Sequence, residues 1–167
     1  MNFNVVESLI SSECPDNEKL NVLGNHGEMA KNGWRFDFTH AGKNPSDEKY
    51  KSLEKKCGTS NSWYGWSEMS KVGTLSTILN GGGKLTIDFG NCGSDGYVKV
   101  YLDSIGMVFA PAAPNEIKSF KSHVIKSFFF KPGSLLEIKE EGSDSVIRLN
   151  SITFECNHDN GGMISIL

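Results

Sequence analysis

The sequence predicts an all-β protein, an antiparallel jelly-roll β-sandwich with a less regular N-terminal segment packed on it. Three observations lead there. From about residue 62 onward, seven or eight short segments alternate apolar and polar side chains at intervals of about 8–12 residues. Clusters of Gly, Pro, Asn and Asp separate them, the residue types that tight turns require. No window of about 11 residues or more repeats its apolar positions with the i, i+3, i+4, i+7 spacing of an amphipathic helix.

Residues 1–56 read as strands added to the same sandwich, since a separate domain of that size would be marginal. Within them, 3–10 fits a strand or a short helix, 19–23 and 34–39 read as strands, 23–28 as a turn, and 44–56 as a charged loop with room for one helical turn. The sandwich core is assigned to residues 57–156. Over 72–79, Leu75, Thr77 and Leu79 point to one side and Val72, Thr74, Ser76 and Ile78 to the other. Three glycines (Gly81, Gly82, Gly83) turn the chain into 84–89, where Leu85, Ile87 and Phe89 share a face. After a second loop, 97–102 places Val98 and Val100 inward and Tyr97, Lys99 and Tyr101 outward. A tight turn at 103–106 leads to a strand at 107–110; further strands follow at 124–130, 135–140 and 146–154. Phe129 points away from Phe128 and Phe130, which fits an interface or cover by another strand; burial on both sides by the N-terminal segment is the alternative. The remainder, 157–167, is a turn and then a tail or edge strand from Met163 to Leu167.

Composition narrows the function. The chain has 167 residues, with 17 Lys+Arg against 20 Asp+Glu and a net charge of −3. A mildly acidic chain without a basic block is a poor general nucleic-acid binder. No apolar run approaches the roughly 18 residues of a membrane-spanning helix. The N-terminus lacks a basic region, Glu7 interrupts its apolar run and no small-residue cleavage site follows, so it does not read as a signal peptide. Asn44 stands before Pro45, which disables the one N-glycosylation sequon. Cys14, Cys57, Cys92 and Cys156 show no CxxC spacing, which argues against a zinc knuckle or a thioredoxin-like motif. They are candidates for one or two disulfides, with three pairings open and four independent thiols as the alternative; Cys57, Cys92 and Cys156 sit at strand ends or loops.

Catalysis has little support. The string around Asn25 and His26 is similar to one element of metallophosphoesterases, but the DxH and GDxxD elements that would complete a two-metal site are absent. His26, His40, His123 and His158 are scattered, and no GxSxG is present. Glu140 and Glu141 are adjacent on a strand and therefore face opposite ways. The acidic turn residues Asp95, Asp103, Asp144 and Asp159 make calcium a candidate cofactor, but no DxDxDG spacing accompanies them. No other cofactor is expected. The suggestive feature is aromatic: Trp63, Tyr64 and Trp66 around Gly65, rings suited to stacking on sugars, with Asn91 and Asp95 as polar partners. Burial between the sheets is the alternative for these rings, and for Trp34.

Four stretches carry a family resemblance: Val72-Gly-Thr-Leu-Ser-Thr-Ile-Leu79, Gly83-Lys-Leu-Thr-Ile-Asp-Phe89, Tyr97-Val-Lys-Val-Tyr-Leu-Asp103 and Ser145-Val-Ile-Arg-Leu-Asn-Ser-Ile-Thr-Phe154. With them the chain resembles the extracellular jelly-roll domains of the galactose-binding-like and carbohydrate-binding-module group. Cys92 shortly before Tyr97 also resembles CUB domains, although the other cysteines do not follow that pattern. The resemblance implies a non-catalytic, lectin-like recognition module at the cell or particle surface, holding a glycan or other surface polymer. The alternative is a structural subunit of an extracellular or capsid-like assembly, self-associating through strand edges at Phe128 to Phe130 or Met163 to Leu167.

Overall fold

The computed structural model describes residues 17–43, 46–57, 62–68, 72–112, 123–142 and 144–156. A 3-10 turn (Lys19–Asn21) and helix α1 (His26–Lys31) precede strands β1 (Arg35–Asp37) and β2 (His40–Gly42). Helix α2 (Glu48–Cys57) leads to β3 (Trp63–Trp66), β4 (Thr74–Ile78), β5 (Gly83–Asn91), β6 (Tyr97–Leu102), β7 (Ile105–Pro111), β8 (Val124–Phe130), β9 (Leu135–Glu141) and β10 (Ile147–Cys156). The strands form two five-stranded antiparallel sheets, ordered β1-β4-β9-β6-β7 (sheet A) and β2-β3-β10-β5-β8 (sheet B).

Alternation builds the interior. Leu75, Leu85, Ile87, Phe89, Val98, Val100, Leu136, Ile138, Leu149 and Trp63 are wholly buried between the sheets, and each such large apolar side chain stabilises the fold by about 1.5–3 kcal/mol. On β10 the inward residues Ile147 and Leu149 fall out of phase with Ile152 and Phe154. A bulge between Leu149 and Ser151 absorbs the extra residue and keeps all four inside. β6 and β7 meet at Asp103 and Ser104, whose φ values of 52° and 67° suit the tight hairpin. On β8, Phe128 and Phe130 are buried whereas Phe129 is 71% exposed, as the alternation requires.

Three local expectations are corrected. Residues 19–23 are not a strand. Leu20 is buried, its carbonyl accepts the Trp34 indole N–H (3.3 Å), and the Asn21 side chain accepts the Phe154 amide (2.8 Å), which together hold a turn. Residues 23–28 begin α1 instead of closing a turn, because Asn25 Oδ1 accepts the Glu28 amide (2.9 Å) as an N-cap. The charged stretch before Cys57 is a ten-residue helix, α2. Asp47 caps it by accepting the Lys49 and Tyr50 amides (2.7 and 3.2 Å). Its buried residues Tyr50, Leu53 and Cys57 recur at i, i+3, i+7. The expectations for residues 3–10 and 157–167, including Met163 to Leu167, and for Cys14, His158 and Asp159, lie outside the described residues.

Helix α2 covers part of the outer face of sheet B, where Tyr50, Leu53 and Cys57 pack on Tyr64, Cys92 and Val146. A disulfide joins Cys57 to Cys92, with Cα atoms 5.3 Å apart. Of the cysteine pairings left open, this one ties the end of the helix to the turn after β5. Only the backbone of Cys156 is described, at the end of β10. Reduction or the double variant Cys57→Ala/Cys92→Ala should cost about 2–4 kcal/mol in urea unfolding. An unchanged midpoint would mean that packing alone holds α2.

Two ionisable side chains are buried among the described residues, Arg148 on β10 and Glu140 on β9. Alternation along β9 turns Leu136, Ile138 and Glu140 inward, and Glu140 is 3% exposed. Its Oε1 accepts the Gly73 amide at 3.2 Å; a side chain at Gly73 would collide with the Phe38 ring and with this carboxylate. Burial pushes the Glu140 carboxyl up to about 7, against hydrogen bonds from Ser67 and Gly73 that pull it down. The folded state therefore holds a proton that the unfolded chain releases near 4.5, so this group's stabilising contribution is complete below that value and is lost as the pH rises through about 7. The loss amounts to about 3 kcal/mol. Glu140→Gln should flatten the pH dependence of unfolding and be the more stable protein at pH ~8, with the two curves meeting near pH ~4. Parallel curves would refute the assignment.

Candidate functional site

Among the described residues, no helix covers the outer face of sheet A, whereas that of sheet B is partly covered by α2. Inward Val98 and Val100 force Tyr97, Lys99 and Tyr101 outward on β6. β9 contributes Glu137, Lys139 and Glu141, with Tyr97 opposite Glu141, Lys99 opposite Lys139 and Tyr101 opposite Glu137. β7 adds Phe109 opposite Lys99. Tyr97 and Phe109 are 44% and 55% exposed and meet edge to face, centroids 5.4 Å apart.

Two lysines directly across a sheet repel each other. Here each has a carboxylate: Lys99 Nζ lies 3.1 Å from Glu141 and Lys139 Nζ 3.4 Å from Glu137. The ammonium groups also stand 5.5 Å from the Tyr97 ring and 5.4 Å from the Tyr101 ring. Tyr101 donates its hydroxyl proton to Glu141 Oε1 at 2.6 Å. That hydrogen bond, with burial and the nearby carboxylates, pushes the phenol up to about 12. The same bond is the main reason that the Glu141 carboxyl titrates below its ordinary range, with Lys99 and Lys139 adding to it. Beside Tyr101, β7 bulges and Gly106 carries no side chain. The result is a depression of about 520 Å³ walled by Tyr101, Met107, Phe109, Lys99 and Lys126. The face thus offers flat rings at the height of fixed donors and acceptors.

The residues singled out in the sequence are placed elsewhere. Trp63 is wholly buried in the main core, and Tyr64 is buried beneath α2 against Tyr50. Neither presents a ring face to solvent, because β3 is covered on both sides. Trp66 is half-buried; it stacks on His40, its cross-strand partner (5.5 Å, 20°), and the Lys49 ammonium lies 3.7 Å from the ring centre. A cavity of about 190 Å³ adjoins them between β2 and α2, lined by His40, Asp47, Lys49, Tyr50 and Tyr64. Tyr50 donates to the Ser62 carbonyl (2.7 Å), and burial first, then Tyr64 and Glu54, pushes its phenol up to about 12.

Asn91 is not a surface donor. It is 1% exposed; its Oδ1 accepts the Gly93 and Val146 amides (2.9 and 3.0 Å), and its Nδ2 donates to the Asp95 carbonyl (3.2 Å). The Asp95 side chain is exposed on the same turn. That turn interlocks with the one before β10. Asp144 accepts both the amide and the hydroxyl of Ser94 and lies 3.4 Å from Lys56, contacts that hold its carboxyl below the ordinary range. Asp103 accepts the Leu135 amide (2.9 Å). Both acidic turn residues are engaged with protein donors, and among the described residues no group of three or more His, Cys, Asp or Glu converges as a metal site would.

No protein-family model matches the chain, and no curated protein matches it. Among solved structures it is similar to a family 35 carbohydrate-binding module from Clostridium thermocellum, at 8% identity over 80% of this chain and 95% of that one (TM-score 0.47). It is similar to the family 35 module of Abf62 from Cellvibrio japonicus, at 10% identity over 74% and 86% (TM-score 0.41). A third likeness is the secreted serine protease VesC from Vibrio cholerae, at 9% identity over 69% of this chain and 28% of that one (TM-score 0.45). These are likenesses of fold.

Tyr101→Phe removes the strongest hydrogen bond to Glu141. The Glu141 carboxyl should then titrate closer to the ordinary carboxylate range, as followed by carboxyl-carbon NMR. An unmoved titration would mean that the lysines alone set it.

Proposed function

We propose that the protein is a non-catalytic recognition module that holds a glycan or other surface polymer on the open outer face of sheet A. The observation that carries this is the exposure of Tyr97 and Phe109 beside the half-buried Tyr101, Lys99 and Lys139, on a sheet face that no described helix covers. Sugar rings present apolar C–H faces and a rim of hydroxyls. The rings of Tyr97 and Phe109 suit the first; Lys99, Lys139, Glu137 and Glu141 suit the second as donors and acceptors already held in place by their ion pairs. An extracellular or surface location is part of the same reading, supported by the Cys57–Cys92 disulfide.

Glycan arrays followed by calorimetry on the best polysaccharide test it. Tyr97→Ala and Phe109→Ala should each weaken binding about tenfold or more, equivalent to ~1.4 kcal/mol, with melting unchanged. Trp66→Ala should leave affinity within about twofold. Binding that survives both sheet A variants and fails with Trp66→Ala would move the site to the cavity between β2 and α2. Absence of binding to any polysaccharide would end the reading.

A further inference from the structure

Among the described strands four lie at sheet edges, and they are not equivalent. β1 and β2 have only three residues each; β1 carries Arg35 and Asp37, and β2 lies beside α2 across a small cavity. β7 is bent by a bulge at its register shift with β6 and ends at Pro111. Short length, charge, bulges and proline all oppose the addition of another strand. β8 carries one charge, Lys126, and none of the other three. It runs seven residues, Val124–Phe130, pairs with β5 in unbroken register, contains no proline, and has no second neighbour among the described strands. Its outer face shows Ile125 at 60% and Phe129 at 71% exposure, on either side of Ser127.

That arrangement is self-complementary. In an antiparallel pairing of β8 with a second β8 centred on Ser127, Ile125 of each copy faces Phe129 of the other. Aromatic and β-branched partners are among the favourable cross-strand pairs, and symmetry supplies this one twice. Lys126, the strand's charged residue, falls opposite Phe128, so the two lysines are not directly opposed. We propose that β8 is the contact strand of a symmetric dimer of this chain, with the two-fold axis at Ser127, joining the two copies of the five-stranded sheet B edge to edge. A second copy is the occupant that the strand's own sequence specifies, because the pairing needs no residue from outside it.

Sedimentation velocity from micromolar to millimolar concentration should show a reversible monomer–dimer equilibrium. Ile125→Lys or Phe129→Lys should weaken it about 100-fold or more, each altering both symmetric pairs, while circular dichroism and melting report that the fold persists. Ser127→Cys tests the axis directly. Residues facing each other across antiparallel strands have Cα atoms about 4.5–5.5 Å apart, within disulfide range, so mild oxidation should give a covalent dimer. Thr153→Cys, exposed in the middle of the same sheet, should not cross-link. A monomer at every concentration overturns the proposal. So does a dimer indifferent to both lysine variants, or a Ser127→Cys protein that cross-links no better than Thr153→Cys.

Discussion

A sheet with one apolar face cannot stand alone in water, and here two such sheets solve the problem for each other. Everything else follows from what becomes of the faces left outside. Sheet B has part of its outer face under α2, which lays Tyr50, Leu53 and Cys57 on Tyr64 and Val146 and is tied down through Cys92. Sheet A has no such cover among the described residues and alternates rings with charges. The helix, the disulfide and the Tyr64 ring of β3 belong to one structural assembly, and the exposed rings of β6 and β7 to a different surface.

The turns at the end of the sandwich near Cys92 are scaffolding. Asn91 stands in for missing backbone partners at both Gly93 and Val146. The two loops approach so closely that a β-carbon at Gly93 would strike the Asp144 carbonyl, and one at Gly96 the Glu141 carbonyl; Gly96 also needs its φ of 73°. Such glycines and amides locate β6 and β9 relative to β10. They therefore hold Tyr97 and Glu141, at the mouths of those strands, in the positions from which the outer face is built.

Period-two spacing is a local property, and what it governs was legible in the sequence. The strands from β4 to β10, the shared apolar face of β5, the inward valines and outward tyrosines of β6 and the lone outward Phe129 follow from alternation. The helices did not, for reasons visible in particular residues. Tyr50, Leu53 and Cys57 mark one face of α2, but the segment is too short and too charged for a helical period to dominate, and the Asn25–Glu28 cap precedes a helix with a single buried residue, Met29. The bulge in β10 is likewise betrayed only by inward residues that change phase between Leu149 and Ile152. Clustering in sequence did not put the β3 rings Trp63 and Tyr64 on a surface, because they point to opposite sides of a strand that is covered on both. Phe109 comes beside Tyr97 through the β6–β7 hairpin, whose register, shifted by the bulge in β7, is not marked by the alternation within either strand.

β7 and β8 border the same flank of the sandwich, one at the end of each sheet, and touch across the interior. An assembly built on the β8 edge would therefore carry its two copies of the aromatic face in a fixed mutual geometry. Individual sugar contacts on a shallow face are weak, but a polymer repeats its epitope. Two faces engaging one polysaccharide would act as a bivalent clamp, in which local concentration multiplies a modest single-site affinity.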